Sequence, residues 1–293
     1  MKNKYRFSIL ILTYNTPFYK TKRTLDSIIN QDFKDYEIII SDDGSSEVHF
    51  EEIEEYLKNN NVKSYKLLKN SENVGTVKHL YNVLCVSKGK YIKAIGSGDS
   101  LHGNDTISRM YNFMESSKSS FAFGRMKKYI IKDKKLIARG DFIAPKRINL
   151  YKRKKHKLYS MLDIIVCHDW ISGASMFGKR SAFIHYIGKL IGVSKYSDDI
   201  LQILAFDKNN VFEFYDSYIV DYEFGEGVST SGASNSPFKK ALRKDIDRSI
   251  ELADRLYGKN ILYRILLHIG KNQQSMIRRI IRSILDTIDK KGC

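Results

Sequence analysis

Cysteine is scarce in this chain. Its 293 residues include three, Cys85, Cys167 and Cys293. That odd number, without the spacing of metal ligands, argues against a disulfide framework or a zinc site and fits a reducing cytosol. No uninterrupted apolar stretch is long enough to span a bilayer. At the N-terminus Lys2, Lys4 and Arg6 precede the apolar run "FSILIL", which resembles a leader only briefly. The run is short and passes into "TYNTP" with no small-residue cleavage site, so it is read as a buried strand. Internal repeats and low-complexity tracts are absent. Acidic charge is also in short supply: 33 Asp and Glu stand against 50 Lys and Arg, a net +17. Such a surplus points to an anionic partner, whether nucleic acid, phosphorylated small molecule or acidic lipid, and charge alone does not choose among them. No zinc-finger, aromatic RNA-binding or helix-turn-helix signature accompanies the charge, so nucleic acid is not the expected partner.

What is present is a chain of ordinary apolar content, 42%, long enough for one large domain or a domain with an appendage. Strand-like runs occur at 7–14, 36–43, 63–70 and 90–97. Between them Thr24, Leu25, Ile28 and Ile29, then Ile53, Tyr56 and Leu57, then Val77, Leu80, Tyr81 and Leu84 recur at helical spacing. Strict alternation of this kind predicts an α/β architecture with a parallel sheet and right-handed crossovers. Ligands of such sheets bind beyond the carboxyl ends of the strands. Those ends are "TYNTP", "SDDGSS", "KNSENVG" and "GSGDS". Any one of them reads equally well as a polar turn; four on one rim read better as a site.

Past residue 104 the alternation loosens. A helix "DTISRMYNFMES" and a strand "SFAFGRMKKYII" lead through a charged hairpin at "KDKK" to the basic run 145–157, expected to be an exposed, mobile loop. A strand at 170–178, a helix over 196–206 and two strands, "VFEFYDS" and "YIVDYEFG", follow. From Pro237 onward the spacing predicts helices alone. In the last, Ile277, Ile280, Ile281, Ile284, Leu285 and Ile288 share one face, with Arg278, Arg279 and Arg282 on the others. That helix either docks on the rest of the chain or lies on an anionic membrane with Ile277, Ile281, Ile284 and Ile288 toward lipid; the net charge tips the reading toward the membrane.

The stretches "SILILTYNTP", "EIIISDDGSS", "NVG" followed by "GKYI" and a loop holding Asp99, "ISGASMFGKRSAF", "SDDILQILAF" and "YEFGEGVSTSG" resemble, in order and spacing, glycosyltransferase family 2, from about Phe7 to Thr230. The resemblance implies a GT-A fold, a Rossmann-like nucleotide-binding sheet continuous with an acceptor-binding half. Residues 1–236 would form this domain, divided into 1–103 and 104–236, with 237–293 a basic amphipathic helical extension. It implies an inverting transfer from a nucleotide sugar, UDP-linked by preference, to a hydroxyl of a saccharide on a lipid carrier in bacterial surface polysaccharide assembly. The enzyme would be cytoplasmic and peripheral on the inner face of the cell membrane.

Carried over to this sequence, the resemblance assigns Leu12, Thr13 and Tyr14 to the nucleoside pocket and Asp42 and Asp43 to the base or ribose, since uracil offers an N–H donor to a carboxylate. Asn73 and Gly75 would shape the next loop, with Lys78 facing the diphosphate. Where the family usually carries Asp-x-Asp this chain has Ser97, Gly98 and Asp99. Asp99 is then the expected ligand of Mn2+ or Mg2+, with weakened affinity. A metal-independent variant relying on lysines and an inactive relative are the alternatives that Ser97 opens. A nucleotidyltransferase would show a glycine-rich loop with an early basic residue after the first strand, and "TYNTP" has neither. The family's late acid pair appears as Asp198 and Asp199, with Asp199 as general base and Asp198 beside it at the acceptor; a helix N-cap is the plain alternative. Gly225, Gly227, Ser229 and Thr230 would close over the diphosphate. Trp170, the single tryptophan, either stacks on an acceptor sugar or packs in the core. His168 and Asp169, neighbours on a predicted strand, would point to opposite faces and are not expected to act as a dyad.

Overall fold

The computed structural model describes residues 4–132, 135–153, 156–206, 212–225, 237–272 and 274–291. The expected alternation is present: β1 (Tyr5–Thr13), α1 (Phe18–Ile29), β2 (Tyr36–Asp42), α2 (Phe50–Asn59), β3 (Tyr65–Lys69), α3 (Thr76–Val86) and β4 (Gly89–Gly96). Then follow β5 (Ser100–Leu101), α4 (Thr106–Ser117), β6 (Phe121–Lys132), β7 (Lys135–Phe142), α5 (His156–Leu162), β8 (Met176–Lys179), α6 (Arg180–Leu190), α7 (Leu201–Leu204) and β9 (Phe212–Glu223). Three helices, α8 (Pro237–Tyr257), α9 (Ile261–Lys271) and α10 (Met276–Lys290), complete the described chain.

The sheet runs β3-β2-β1-β4-β8-β6-β9-β5, with β7 on β6. Its first four strands are parallel, whereas β8 is antiparallel to both β4 and β6. Every residue of β2 is buried, as expected of a parallel strand covered on both faces. One face packs Leu25 and Ile28 of α1, Ile53 and Leu57 of α2 and Met110 and Met114 of α4. The other packs α3 and α6 together with Ile250, Ala253, Tyr263, Leu266 and Leu285 of the last three helices. Among the described residues no helix is long and apolar enough to cross a membrane.

Several local expectations change in three dimensions. "VFEFYDS" and "YIVDYEFG" are one strand, β9, paired along β6 with a register jump from Gly124↔Tyr215 to Arg125↔Tyr218. Asp216 and Ser217 are therefore a bulge, which looks like a strand boundary in sequence. Only 176–179 of the predicted strand 170–178 is extended, because Gly173–Ser175 turns in a single 3-10 loop. The helix expected over 196–206 shrinks to α7, preceded by tight turns in which Leu201 N donates to Asp198 O and Gln202 N to Asp199 O.

The basic run 145–157 is not a free loop where it is described. Arg147 is buried and ion-paired to Asp163 at 2.7 Å and to Asp286 of α10 at 2.6 Å. Burial pushes the Asp163 carboxyl up to about 8, against the pull of Arg147. Leu150 and Tyr151 are in the core. The polar faces assigned to α10 also reverse. Arg278 is buried and donates to Val166 O at 2.7 Å, while Asp289 accepts from Asn149 N. Of the apolar stripe, Leu285 is buried and Ile281 and Ile288 pack on the core. Ile277, Ile280 and Ile284 remain about half exposed.

Candidate active site

The rim of β1, β2 and β3 is tied together by two buried acids. Asp42 accepts from Thr13 Oγ1 at 3.1 Å and from Ser45 N and Oγ at 2.8 and 2.5 Å. Asp43 accepts from Asn70 Nδ2 at 2.8 Å, Val74 N at 3.1 Å and Gly75 N at 3.1 Å. Both carboxylates thus organise the strand-end loops from inside. Leu12 and Asn73 are partly buried and Tyr14 is exposed on the same rim. Lys78 lines a cleft of about 220 Å³ with Val74, Lys195 and Arg248, next to the loop that Asp43 holds. Neither Asp99 nor Asp199 lines that cleft.

The loop after β4 is anchored from several directions. Ser97 Oγ lies 2.8 Å from Thr21 Oγ1, and Thr24 Oγ1 accepts from Gly98 N and donates to Asp99 O. Gly98 has φ +110, and a Cβ there would lie 2.2 Å from Glu223 Oε2, so glycine lets the Glu223 carboxylate rest on the loop backbone. Glu223 N donates to Asp99 Oδ1 at 2.8 Å, and Lys20 Nζ bonds Glu223 Oε1 at 2.9 Å. Lys93 of β4 is fully buried. Burial raises Asp99 to about 7 and lowers Lys93 to about 7, each group drawing the other back toward its charged form.

The late acid pair approaches from the other half. A Cβ on Gly173 would lie 2.9 Å from Asp199 Oδ1 and 3.5 Å from Asp198 Oδ2, so both carboxylates close on that glycine. Burial pushes Asp198 up to about 6; burial and then the charge of Asp198 raise Asp199, with a bond from the Gly173 backbone working the other way. Next along the chain, Ala174 O accepts a hydrogen bond from Lys93 Nζ. Lys93 thus bonds the 173–174 turn, and its charge also acts on Asp99.

Two further contacts position the pair. Gln202 Oε1 accepts from Ile171 N at 3.0 Å and its Nε2 donates to Ile171 O at 2.7 Å, holding the segment after Asp199 beside Trp170. Asp245 of α8 accepts from Ser194 Oγ, Lys195 N and Tyr196 N at 3.1, 2.9 and 2.8 Å, holding the segment before Asp198. Trp170 stacks on His168, the ring centroids 5.4 Å apart. Asp169 turns instead to Lys146 N and Arg147 N, so the two residues of "HD" diverge. Ser229, with Gly227 and Thr230, lies outside the described residues.

Sequence reasoning missed Lys20, Lys93, Glu223, Gln202 and Asp245. Lys93 carried a signal, a charge inside the apolar strand "YIKAIG". The others are ordinary helix or strand residues until the fold juxtaposes them.

The chain resembles known proteins in sequence and in fold. Residues 8–182 match Glycosyl transferase family 2. The chain belongs to that family. Among family relatives, poly(ribitol-phosphate) beta-glucosyltransferase of Bacillus spizizenii is 31% identical over 125 residues, 42% of this chain and 19% of that protein. The chain therefore spans only a small part of that relative's length. UDP-Glc:alpha-D-GlcNAc-diphosphoundecaprenol beta-1,3-glucosyltransferase WfaP of Escherichia coli is 31% identical over 144 residues, 48% of this chain and 53% of that protein. Among solved structures, S. aureus TarS 1–349 in complex with UDP superposes with a TM-score of 0.61 at 16% identity, covering 93% of this chain and 71% of that one. The same protein in complex with UDP-GlcNAc gives 0.57 at 17% identity, covering 96% and 78%. These likenesses establish the GT-A fold.

The Mn2+ or Mg2+ expected at Asp99 can be tested against the donors. One Asp99 oxygen is taken by Glu223 N, Glu223 is paired with Lys20, and Ser97 is bonded to Thr21. Among the described residues no group of three or more His, Cys, Asp or Glu is arranged to hold a metal. Mg2+ is commonly held by one or two carboxylates with substrate phosphates completing its shell, so Asp99 would hold such an ion as a single protein carboxylate, through the oxygen that Glu223 N does not use.

Proposed function

We propose that this family 2 member transfers a sugar, with inversion, from a UDP-sugar to a hydroxyl of a saccharide acceptor on a lipid carrier. The observation that carries the reading is the convergence of acids at β4: Lys93 of that strand bonds the Gly173–Ala174 turn on which Asp198 and Asp199 close, and the loop after the strand holds Asp99. Asp199 takes the proton of the acceptor hydroxyl as that oxygen forms a bond to the anomeric carbon. On the opposite face the bond from that carbon to the diphosphate oxygen breaks, and UDP departs with the electron pair. Cations near Asp99 meet the charge that builds on the leaving diphosphate. Leu12, Thr13 and Tyr14 line the nucleoside side with Asp42 and Asp43 behind them, and Trp170 and Asp198 flank the acceptor. The relatives whose names include UDP or a diphosphoundecaprenol-linked sugar support the choice of donor and acceptor class.

A membrane role for the last helices rests on two facts. Met276, Ile277, Ile280 and Ile284 of α10 and Ile261, Leu262 and Ile265 of α9 are exposed. The two acids of α10, Asp286 and Asp289, bond the domain, leaving exposed Arg279 and Arg282 beside the isoleucines. Apolar side chains flanked by cations suit an anionic lipid surface.

The test is a screen of nucleotide sugars for binding and transfer. With UDP-sugars, Asp199→Ala should bind donor normally and lose transfer, whereas Asp99→Ala should weaken donor binding. Undiminished transfer by Asp199→Ala sinks the assignment of the base.

A further inference from the structure

A cluster of positive charge lies outside the two acid sites. Lys78 in the first turn of α3, Lys195 in the segment before the acid pair and Arg248 of α8 line one cleft of about 220 Å³, and no acid lines it with them. Among the described residues none of these three cations is ion-paired. Val74, Ile191 and Val193 form the apolar wall between them. The fold holds the cluster from behind. Asp245 Oδ2 accepts from Lys195 N at 2.9 Å, and Arg248 follows Asp245 by one turn on the same face of α8. Lys195 O accepts at 3.1 Å from Val77 N, beside Lys78. Gly75 has φ +86, and a Cβ there would lie 2.5 Å from Lys195 Cγ, so glycine leaves room for the lysine stem. Like charges gathered without acids repel one another, and an anion bound among them relieves that repulsion.

Shape, size and place choose the anion. A carboxylate is planar and is satisfied by one arginine, whereas a tetrahedral phosphate accepts from several directions, as cations on three separate elements supply. Pockets for whole small molecules run to about 300–1,000 Å³. The cleft is smaller, and suits a phosphate with its neighbouring unit better than a complete nucleotide. One wall runs straight to the acid pair, through a tight turn in which Ser197 N donates to Ser194 Oγ at 3.1 Å. We infer that this cleft is a subsite for a phosphate group of the acceptor, held by Lys78, Lys195 and Arg248 while the reacting hydroxyl lies at the acid pair. That phosphate belongs either to a phosphodiester in the acceptor chain or to the link between saccharide and carrier. The inference rests on the glycosyltransferase reading above and moves Lys78 from the donor diphosphate to the acceptor.

The experiment measures binding of two probes to the full chain by calorimetry, with and without saturating UDP. A short glycerol phosphate oligomer carries chain phosphodiesters, and geranyl diphosphate stands for a carrier link. At least one should bind, equally well with UDP in place, and the tighter of the two identifies the source of the phosphate. Arg248→Glu and Lys78→Glu should each weaken that probe by about tenfold or more and leave the UDP Kd within about twofold. Lys63→Glu makes the same charge change on the exposed segment before β3 and should alter the probe by less than about twofold. Equal weakening by Lys63→Glu overturns the inference, because the probe then feels only the net charge of +17. Displacement of the probe by UDP, or loss of UDP affinity in variants with an unchanged melt, gives the cleft to the donor and also overturns it. Failure of both probes to bind does the same. Should Arg248→Glu misfold, Lys78→Glu decides. A chain that binds no UDP fails the glycosyltransferase reading itself, while the phosphate probes still report on the cleft.

Discussion

Replacing Asp245 with alanine tests whether the last helices help to place Asp198 and Asp199, the latter proposed as the general base. Asp245 is buried on α8 and one of its oxygens accepts from Ser194 Oγ, Lys195 N and Tyr196 N. Lys195 O in turn accepts from Val77 N of α3, so the segment leading to Asp198 is clamped between two helices. Alanine removes the acceptor and leaves two backbone donors without partners, at about 1–3 kcal/mol for each buried unsatisfied group. Partial rescue by water lowers the sum, so a loss of about 2–5 kcal/mol is expected for the clamp. For a domain of this size that corresponds to a fall in Tm of roughly 5–15 °C. The functional effect is sharper than the thermal one, because a displacement of about 1 Å at a catalytic group can cost on the order of 100-fold in rate. Asp245→Asn keeps an acceptor oxygen and should fall between the two. The assays are a thermal melt, UDP affinity by calorimetry, and kcat with a UDP-sugar and its acceptor. UDP affinity should hold while kcat drops, since the clamp supports the acid pair and not the rim of β1 and β2. A Tm within about 2 °C of the unaltered chain together with unchanged kcat would refute the reasoning.

Two further outcomes follow from the same geometry. Asp199 must be ionised to accept a proton, and burial followed by the charge of Asp198 raises its carboxyl. The acid limb of kcat/KM should therefore lie well above the roughly 3.9 of an ordinary aspartate, activity falling as pH drops through the raised value. Asp198→Asn removes the like charge and should move that limb to lower pH; a limb near 4 in the unaltered chain contradicts the assignment. On membranes, the chain should sediment with vesicles containing phosphatidylglycerol and not with pure phosphatidylcholine. The double change Ile277→Asp and Ile280→Asp should reduce that binding by about tenfold or more. Equal sedimentation of the altered and unaltered chains removes α10 from the interface, and a concentration-dependent dimer would point to a second copy as its partner.

The parallel half was legible because β1 to β4 are covered on both faces and so read as uninterrupted apolar runs. Their polar ends marked the rim without indicating how it is held. Asp43 was read for a ligand, and the structure adds that its oxygens bind Asn70, Val74 and Gly75, contacts set by the packing of β2 against β3. Helical spacing placed six apolar residues of α10 on one face, but spacing has no direction. Leu285 turned inward and Ile280 outward because Asp286, Asp289 and Arg278 found partners on the domain. The bulge at Asp216 and Ser217 was invisible for a similar reason: only pairing with β6 reveals two residues too many.

Sequence alone determined the order of strands and helices and the family resemblance, because these follow from local periodicity and from short motifs. Tertiary structure decided what surrounds Asp99. Glu223 of β9 bonds Asp99 and Lys20 of α1 bonds Glu223, because the fold brings those elements to the loop after β4. Whether a carboxylate can accept a metal depends on neighbours brought from distant parts of the chain, and electrostatic energy is a function of distance in space, not along the sequence.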